Sequence, residues 1–218
     1  MRGNYEFIVE HLRLDEKDVD EIAKLVPGPR TVLDVGCGRG GFLRLAGRLR
    51  GTKGVGLDVD GEAVKYCRVS GLKVYRRRGE KTGFRGNSFE AVRAKEVLEH
   101  LGSPEEMVLE VRRVLKPGGI FIVHVPTQYS VWYPLTNFWD DYTHVRPFTK
   151  RALERLMAVG GFRLLRLEGY TVGRSWREDI LGRWMGRVFP FAWRAVGRVD
   201  KSEAAARARG SRGSEVSG

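Results

Sequence analysis

The chain has 218 residues, 42% hydrophobic and 30% charged, a composition that can bury enough apolar surface for one folded domain with an appendage. Its two cysteines exclude a disulfide framework, and we predict neither a zinc site nor any other metal centre from them. The net charge of +12 favours anionic partners such as nucleic acid, phosphorylated small molecules or anionic lipids, unless the arginines are simply solvated at the surface.

Strands and helices are predicted to alternate along the chain. An amphipathic pattern predicts a helix over residues 15–26 with Asp15 as its N-cap, and Ser103 is predicted to cap a later helix through a capping box. Further helices are predicted around residues 42–49, 63–67, 104–115 and 149–160. Strands are predicted over residues 31–35, 54–57, 72–75, 89–94, 120–125, 162–167 and 192–199. This alternation is typical of an α/β fold with a doubly wound, mostly parallel sheet.

A glycine-rich turn follows the first predicted strand. Within the sequence VLDVGCGRGG, residues 32–41, the glycines Gly36, Gly38 and Gly41 match the G-x-G-x-x-G pattern between a strand and a helix. Asp58 lies 22 residues beyond Gly36, at the end of the second strand, where a carboxylate can accept hydrogen bonds from two ribose hydroxyls. These features predict an adenosine-containing cofactor, and taken alone they fit NAD as well as S-adenosylmethionine.

Three segments between residues 28 and 172 resemble the class I S-adenosylmethionine-dependent methyltransferases. In VLDVGCGRG, Asp34 stands two residues before the first glycine, which is usual in that family and unusual in dinucleotide oxidoreductases. Residues 87–101 and 112–119 are similar to the fourth-strand and fifth-strand signatures of the branch that methylates small molecules. The resemblance implies a seven-stranded, Rossmann-like sheet and S-adenosyl-L-methionine as cofactor.

The resemblance also implies where the cofactor lies. Gly36 and Gly38 would back the methionine moiety, Asp34 would sit beneath it, and Asp58 would hold the ribose. The complete predicted cofactor set is Asp34, Gly36, Gly38, Asp58, Val59, Glu80, Ala94 and Glu96.

The chain departs from the family pattern after the third strand. The family commonly places an acid there, near the adenine amino group, whereas this chain has the sequence RRRGE over residues 76–80. Either Glu80 serves from a shifted position, or apolar contacts and backbone hold the adenine. In the second case the three arginines face an anionic partner or are solvated.

Two histidines are candidate catalytic residues, because methyl transfer to a hydroxyl needs a general base. His144 lies in the sequence DDYTHVRPFT, which resembles a D-x-T-H-x-R-x-F segment of the same branch, with Asp140 or Asp141 placed to orient it. His100 follows the fourth strand at the edge where ligands bind in such sheets. Each has a structural alternative, since a histidine can also fix a loop or cap a turn. His124 is expected in the core.

Two segments rich in aromatic residues complete the pattern. Six aromatics over residues 129–142 predict an inserted lid or pocket wall, or else a small satellite core. Residues 176–193 predict an amphipathic, basic helix that caps the active-site mouth or lies on a membrane surface.

We therefore divide the chain into an N-terminal helical segment (1–30), a cofactor-binding core (31–172), a cap helix with the last strand (173–200) and a disordered tail (201–218). No apolar run approaches the roughly 18 to 20 residues of a membrane-spanning helix, so we expect a cytoplasmic protein. The sequence favours a methyltransferase acting on oxygen of a small or amphiphilic, lipid-like acceptor. The alternatives are an RNA methyltransferase or RNA-binding protein, and an NAD-dependent oxidoreductase.

Overall fold

The computed structural model describes residues 2–49, 51–129, 138–170 and 189–199, with side chains from residue 13 onward. Within these ranges one sheet contains the strands β1 (Arg30–Val35), β2 (Thr52–Asp58), β3 (Val74–Arg76), β4 (Phe89–Lys95), β5 (Leu115–Pro126), β6 (Phe162–Tyr170) and β7 (Ala192–Val199). Their order is β3-β2-β1-β4-β5-β7-β6. The first five strands pair in parallel, and β7 runs antiparallel to β5 and β6. The predicted seven-stranded, mostly parallel sheet is confirmed.

The described α-helices are α1 (Arg2–Leu25), α2 (Gly41–Ala46), α3 (Gly61–Val69), α4 (Pro104–Val114) and α5 (Lys150–Val159). None of them combines the length and apolar character that crossing a bilayer requires. The predicted amphipathic helix over residues 176–193 lies outside the described ranges as far as residue 188, as does the predicted tail. Its last part is wrong, because residues 189–193 are not helical and β7 begins at Ala192.

Two predicted helix caps are wrong. Asp15 lies inside α1, which begins at Arg2, and its carboxylate is drawn into an ion pair with Arg93 of the sheet. Ser103 precedes α4, and Pro104 takes the first helical position as predicted, but the Ser103 side chain makes no capping bond. The Glu106 N–H donates to the backbone carbonyl of Ser103 instead.

Apolar side chains cover both faces of the sheet. On one face, Met107 of α4 and Leu153 of α5 pack in a core with Leu33 of β1. On the other face, helices α1 to α3 pack around Val32 of the same strand. Strands β1 and β4 are neighbours, yet the helices that follow them lie on opposite faces. The chain therefore diverges at the carboxyl ends of β1 and β4, and such a divergence leaves a crevice in sheets of this kind.

Buried charges fix α1 to the sheet below this crevice. The Arg93 guanidinium of β4 lies 2.7 Å from Asp18 of α1 through Nε and 3.1 Å from Asp34 of β1 through Nη1. It also bonds Asp15. Arg194 of β7 adds a bond of 2.8 Å from Nε to Asp18. The Arg93 guanidinium therefore pairs with three carboxylates from α1 and β1. The Arg194 guanidinium pairs with one of them, Asp18, as well.

His124 joins this cluster and is confirmed as a core residue. It is fully buried, with Nε2 2.9 Å from an oxygen of Asp18 and Nδ1 3.1 Å from the hydroxyl of Tyr170. Burial lowers the pKa of His124. Burial alone would raise the pKa of Asp18, but His124, Arg93 and Arg194 hold that pKa well below its usual range.

Replacing Arg93 with methionine should lower the free energy of unfolding by about 3 to 5 kcal/mol, because it strands three carboxylates away from their shared cation. Urea denaturation measures this change. Lys17→Met on the same helix is the control, since the Lys17–Glu168 pair is partly exposed and should contribute at most about 1 kcal/mol. Equal losses in the two variants would show that the buried cluster does not anchor α1.

Candidate active site

The glycine turn after β1 is tied to the end of β2 by backbone hydrogen bonds. The N–H groups of Gly36 and Cys37 donate to the Leu57 carbonyl at 2.8 and 2.9 Å. Gly38 has a φ of 49°, and its N–H donates to the Asp58 carboxylate at 2.7 Å. These bonds hold the glycine turn and the Asp58 carboxylate together as one rigid unit.

Asp58 keeps hydrogen-bonding capacity for a ligand. One of its oxygens accepts from Gly38 and the other accepts from the Asp60 N–H at 2.9 Å. Each carboxylate oxygen has a second lone pair. Val59, the next residue, is 60% exposed although it is apolar. An oriented carboxylate beside an exposed apolar side chain suits a sugar joined to an aromatic base.

A side chain packs against the turn at Gly36, whereas no described residue fills the space beside Gly38. A Cβ on Gly36, where φ is 70°, would collide with Cγ2 of Val97 in the loop after β4. A Cβ on Gly38 would meet no protein atom within 4 Å among the described residues. The backbone at Gly38 therefore borders open space into which a ligand can come close.

Asp34 lies beneath the turn and is almost completely buried. Burial raises its pKa to about 6, and the neighbouring charges of Asp15 and Asp18 act in the same direction, while Arg93 opposes the rise. Asp34 shares that guanidinium with two other carboxylates, so its own charge is only partly compensated. A cationic ligand group above it would improve that balance.

Glu80 lies in a short 3-10 turn, Gly79–Lys81, after β3. Both hydrogen bonds from Arg78 go to its Oε1, at 3.2 and 2.9 Å. Each arginine of the RRR sequence donates to an oxygen in or near its own loop: Arg76 to the Val59 carbonyl, Arg77 to the Thr82 carbonyl and Arg78 to Glu80. Each guanidinium is therefore oriented by the protein, while Arg76 and Arg78 remain exposed and keep further N–H donors.

The backbone after β4 turns sharply at a predicted site residue. Glu96 has a φ of 55°, which is uncommon for a residue other than glycine and occurs at functional sites. Its N–H donates to the carbonyl of His124, and the turn brings Val97 against Gly36. Ala94 is fully buried in β4, so neither its backbone nor its side chain is exposed in this structure.

The structure brings His100 and His144 together from separate loops, with ring centroids 4.6 Å apart. Nδ1 of His144 lies 2.7 Å from the carbonyl of Phe138, which can only accept, so this nitrogen carries the proton. Nδ1 of His100 lies 2.8 Å from the Thr143 hydroxyl, whose own proton goes to Asp141. That hydroxyl must therefore accept from His100. Nε2 is then the other ring nitrogen of each imidazole, and that of His144 lies 3.9 Å from a carboxylate oxygen of Asp141.

Glu99 is a site residue that sequence reasoning missed. It is 1% exposed, and its backbone carbonyl accepts the N–H of Val145 at 2.7 Å, which ties the loop of His144 to the loop of His100. Among the described residues, its Oε2 has no hydrogen-bond partner. Burial, with a smaller effect from Glu96 and Asp141, raises the pKa of Glu99 well above its usual range. Its position directly before His100 was the available signal.

We call Glu99, His100 and His144 the Glu-His-His cluster. One ligand atom from each of the three lies within 4.8 Å of the others, so the cluster can hold a metal ion. No metal ligands were predicted from the sequence, because that expectation rested on cysteine spacing, which says nothing about these side chains.

Comparison with known proteins identifies the family. A family model described as a methyltransferase domain matches residues 10–167. The chain belongs to this methyltransferase family. It is 43% identical over 106 residues to a sterol 24-C-methyltransferase of Gibberella zeae, covering 45% of this chain and 28% of that protein. It is 39% identical over 117 residues to a ubiquinone biosynthesis O-methyltransferase of Hahella chejuensis, covering 50% and 47%. The methyltransferase therefore spans less than half the length of both relatives.

A solved structure supports the fold of the methyltransferase. The S-adenosylmethionine-dependent methyltransferase of Archaeoglobus fulgidus superposes with a TM-score of 0.67 at 20% identity, over 86% of this chain and 94% of that one. The family membership implies S-adenosyl-L-methionine as the cofactor. The open backbone at Gly38, the spare lone pairs of Asp58 and the partly compensated Asp34 fit such a ligand.

The aromatic segment of the methyltransferase is described only in part. Trp132 and Tyr133 lie outside the described residues. Phe138 is buried against the ring of His144 at 4.4 Å, whereas Trp139 and Tyr142 are 58% and 94% exposed. Part of the segment therefore supports the histidine pair, and the lid itself stays a prediction.

Gly38→Ala should weaken the binding of S-adenosylhomocysteine about tenfold or more, because the added Cβ enters the open space beside the turn. Isothermal titration calorimetry measures this. Gly28→Ala is a matched control, since Gly28 also has a positive φ, 82°, and a Cβ added there would likewise meet no described atom within 4 Å. Both variants should lose about 1 to 2 kcal/mol of stability from backbone strain. Unchanged affinity in Gly38→Ala would move the cofactor away from this turn.

Proposed function

We propose that this methyltransferase transfers the methyl group of S-adenosyl-L-methionine to an oxygen atom of a small or amphiphilic acceptor. The observation that carries the proposal is the histidine pair, whose rings lie 4.6 Å apart in the loops that follow β4 and β5 and whose Nδ1 atoms are both engaged in hydrogen bonds. An acceptor hydroxyl must lose a proton during methyl transfer, and two neutral imidazoles are suited to promote that loss.

The proposed cofactor site lies along the glycine turn and the end of β2. Asp58 accepts the ribose hydroxyls on its spare lone pairs, and the exposed Val59 lies against the adenine. The backbone of Gly36 and Gly38 backs the methionine moiety, and Asp34 beneath the turn balances its positive charge.

The remaining predicted residues complete the proposed cofactor site. Arg78 uses only Oε1 of Glu80, which leaves Oε2 for the adenine amino group, so we favour the shifted position of the adenine-binding acid. The backbone from Ala94 to Glu96 borders the cofactor on the side of β4.

The cofactor supplies a methyl group on a positively charged sulfur. The protein has to hold the acceptor oxygen within about 3 to 3.5 Å of that carbon and in line with the bond that breaks. The Glu-His-His cluster promotes deprotonation of the oxygen, and the exposed rings of Trp139 and Tyr142 offer an apolar surface for the acceptor body. These exposed rings support an aromatic or lipid-like acceptor.

Two alternatives receive less support. A sterol 24-C-methyltransferase is among the relatives, but the chain matches only 28% of its length, against 47% of the ubiquinone biosynthesis O-methyltransferase. RNA methylation was suggested by the RRR sequence, whose arginines make hydrogen bonds within the protein. The ubiquinone biosynthesis O-methyltransferase among the relatives is consistent with an oxygen acceptor.

His144→Ala should reduce turnover about 10²- to 10⁴-fold and leave the affinity for S-adenosylhomocysteine unchanged, because the imidazole acts on the acceptor and not on the cofactor. Transfer of a radiolabelled methyl group to fractionated cell extract measures turnover and identifies the acceptor. NMR of the isolated product then shows which atom carries the methyl group.

The His144→Ala experiment has two informative failures. Turnover equal to wild type would remove His144 from the site. A product methylated on carbon, or label that appears only in RNA, would contradict the proposed acceptor class.

A further inference from the structure

We propose that the Glu-His-His cluster binds one divalent first-row transition metal ion at the acceptor end of the cleft. The binding site itself follows from the arrangement of the ligand atoms, whereas its role in catalysis rests on the proposed O-methyl transfer.

The three ligand atoms converge from two loops. The carboxylate of Glu99 and one nitrogen from each of His100 and His144 lie within 4.8 Å of one another. Bonds from a transition metal ion to imidazole nitrogen or carboxylate oxygen are about 2.0 to 2.2 Å long. Small side-chain rotations of the two half-buried histidines would bring all three atoms to that distance from one ion.

Both imidazoles make a hydrogen bond to a group outside the cluster, as metal-binding histidines do. Metal-binding histidines typically donate their other ring N–H to a carbonyl or carboxylate, which fixes the tautomer and the ring orientation. Here Nδ1 of His144 donates to the Phe138 carbonyl. Nδ1 of His100 donates to Thr143, which in turn donates to Asp141. Both Nε2 atoms are therefore left as donors of an electron pair.

Glu99 provides a second, independent indication. A buried polar atom normally has a partner, and one left without a partner costs about 1 to 3 kcal/mol, or more when it is charged. Oε2 of Glu99 has none among the described residues, and the residue is 1% exposed. The nearby charged groups, Glu96 and Asp141, are also acidic. A cation bound at Oε2 would satisfy the atom and offset this accumulation of negative charge.

The set of donor atoms indicates which class of metal binds. Two imidazole nitrogens and one carboxylate oxygen favour ions such as Mn²⁺, Fe²⁺, Co²⁺ or Zn²⁺ over Mg²⁺ and Ca²⁺, which prefer oxygen ligands. Three protein ligands also leave coordination positions open. An acceptor hydroxyl could take one of these positions.

The ion would explain how the cluster promotes deprotonation. Coordination lowers the pKa of a hydroxyl, so its proton passes to solvent near neutral pH. The oxygen electron pair then forms the new bond to the methyl carbon, the carbon–sulfur bond breaks, and its electron pair stays on sulfur as a neutral thioether. In the metal-loaded protein the imidazoles act as ligands, and the bound ion takes over the role of general base that they would have without it.

Metal binding can be tested without any acceptor. The purified chain is treated with a chelator, dialysed, and titrated with Co²⁺ while the visible absorption of the ion is followed. Mn²⁺ and Zn²⁺ titrations are followed by calorimetry. We expect one ion per chain, and we expect Glu99→Gln and His144→Ala to weaken its binding about tenfold or more.

Two further variants separate the cluster from its surroundings. Glu105→Gln changes an exposed acid of the same chain and should bind the ion as tightly as wild type does. Thr143→Val removes the hydroxyl that orients His100 and should also weaken binding, by about 10- to 100-fold. Equal affinity for S-adenosylhomocysteine in all variants shows that each is folded.

The proposal is overturned if the wild-type chain binds no ion, or if Glu99→Gln and His144→Ala bind it as tightly as wild type. Failure of the proposed function looks different. In that case the ion binds and depends on the cluster, but the metal-loaded protein methylates no hydroxyl.

Discussion

The buried guanidinium of Arg93 is the interaction on which the rest of the structure depends. It joins the N-terminal helix to the first and fourth strands through three carboxylates, two from α1 and one from β1. The third of these carboxylates, Asp34, is buried in β1 two residues before Gly36 of the glycine turn. The charge pairing that anchors the N-terminal helix therefore reaches the strand that leads into the proposed cofactor site. Burial makes this arrangement costly unless every member keeps its partner.

The order of the strands determines where the site can form. Strands β1 and β4 are neighbours, and the helices after them pack on opposite faces. The glycine turn and the turn at Glu96 consequently meet at one edge, with Val97 lying where a side chain on Gly36 would be. This close contact explains why glycine is needed at position 36 for packing, whereas the open space beside Gly38 is where we propose that the ligand binds.

The proposed acceptor site is built differently from the proposed cofactor site. The proposed cofactor site consists largely of backbone and is fixed by hydrogen bonds close to the turn. The proposed acceptor site consists of side chains from two loops that are joined through the backbone of Glu99 and the ring contact between His100 and His144. A small change in either loop would alter the acceptor without disturbing the cofactor, which suits a family whose members methylate different compounds.

Local patterns in the sequence predicted the local parts of this structure. The spacing of Gly36, Gly38 and Asp58 predicted the turn and its carboxylate, because both lie within a single strand-helix-strand unit. Asp15 was misassigned as a cap because a capping rule considers only neighbouring residues, whereas its partner lies 78 positions away.

The buried charges and the cluster needed information beyond local patterns. Arg93 and Arg194 interrupt strands that are otherwise mostly apolar, a signal that could have indicated buried ion pairs. The side-chain bond that positions His100 spans 43 residues, so its meeting with His144 could be seen only in the folded chain. Glu99 was overlooked because an acid in a short charged run does not reveal whether it is buried.

A crystal structure with S-adenosylhomocysteine bound would test the central claim most directly. We expect the ribose hydroxyls to lie about 2.5 to 3.0 Å from the Asp58 carboxylate, with the homocysteine portion along Gly36 and Gly38. We also expect the sulfur to face the Glu-His-His cluster. A ligand bound elsewhere, or one whose sulfur points away from His100 and His144, would contradict the proposed site.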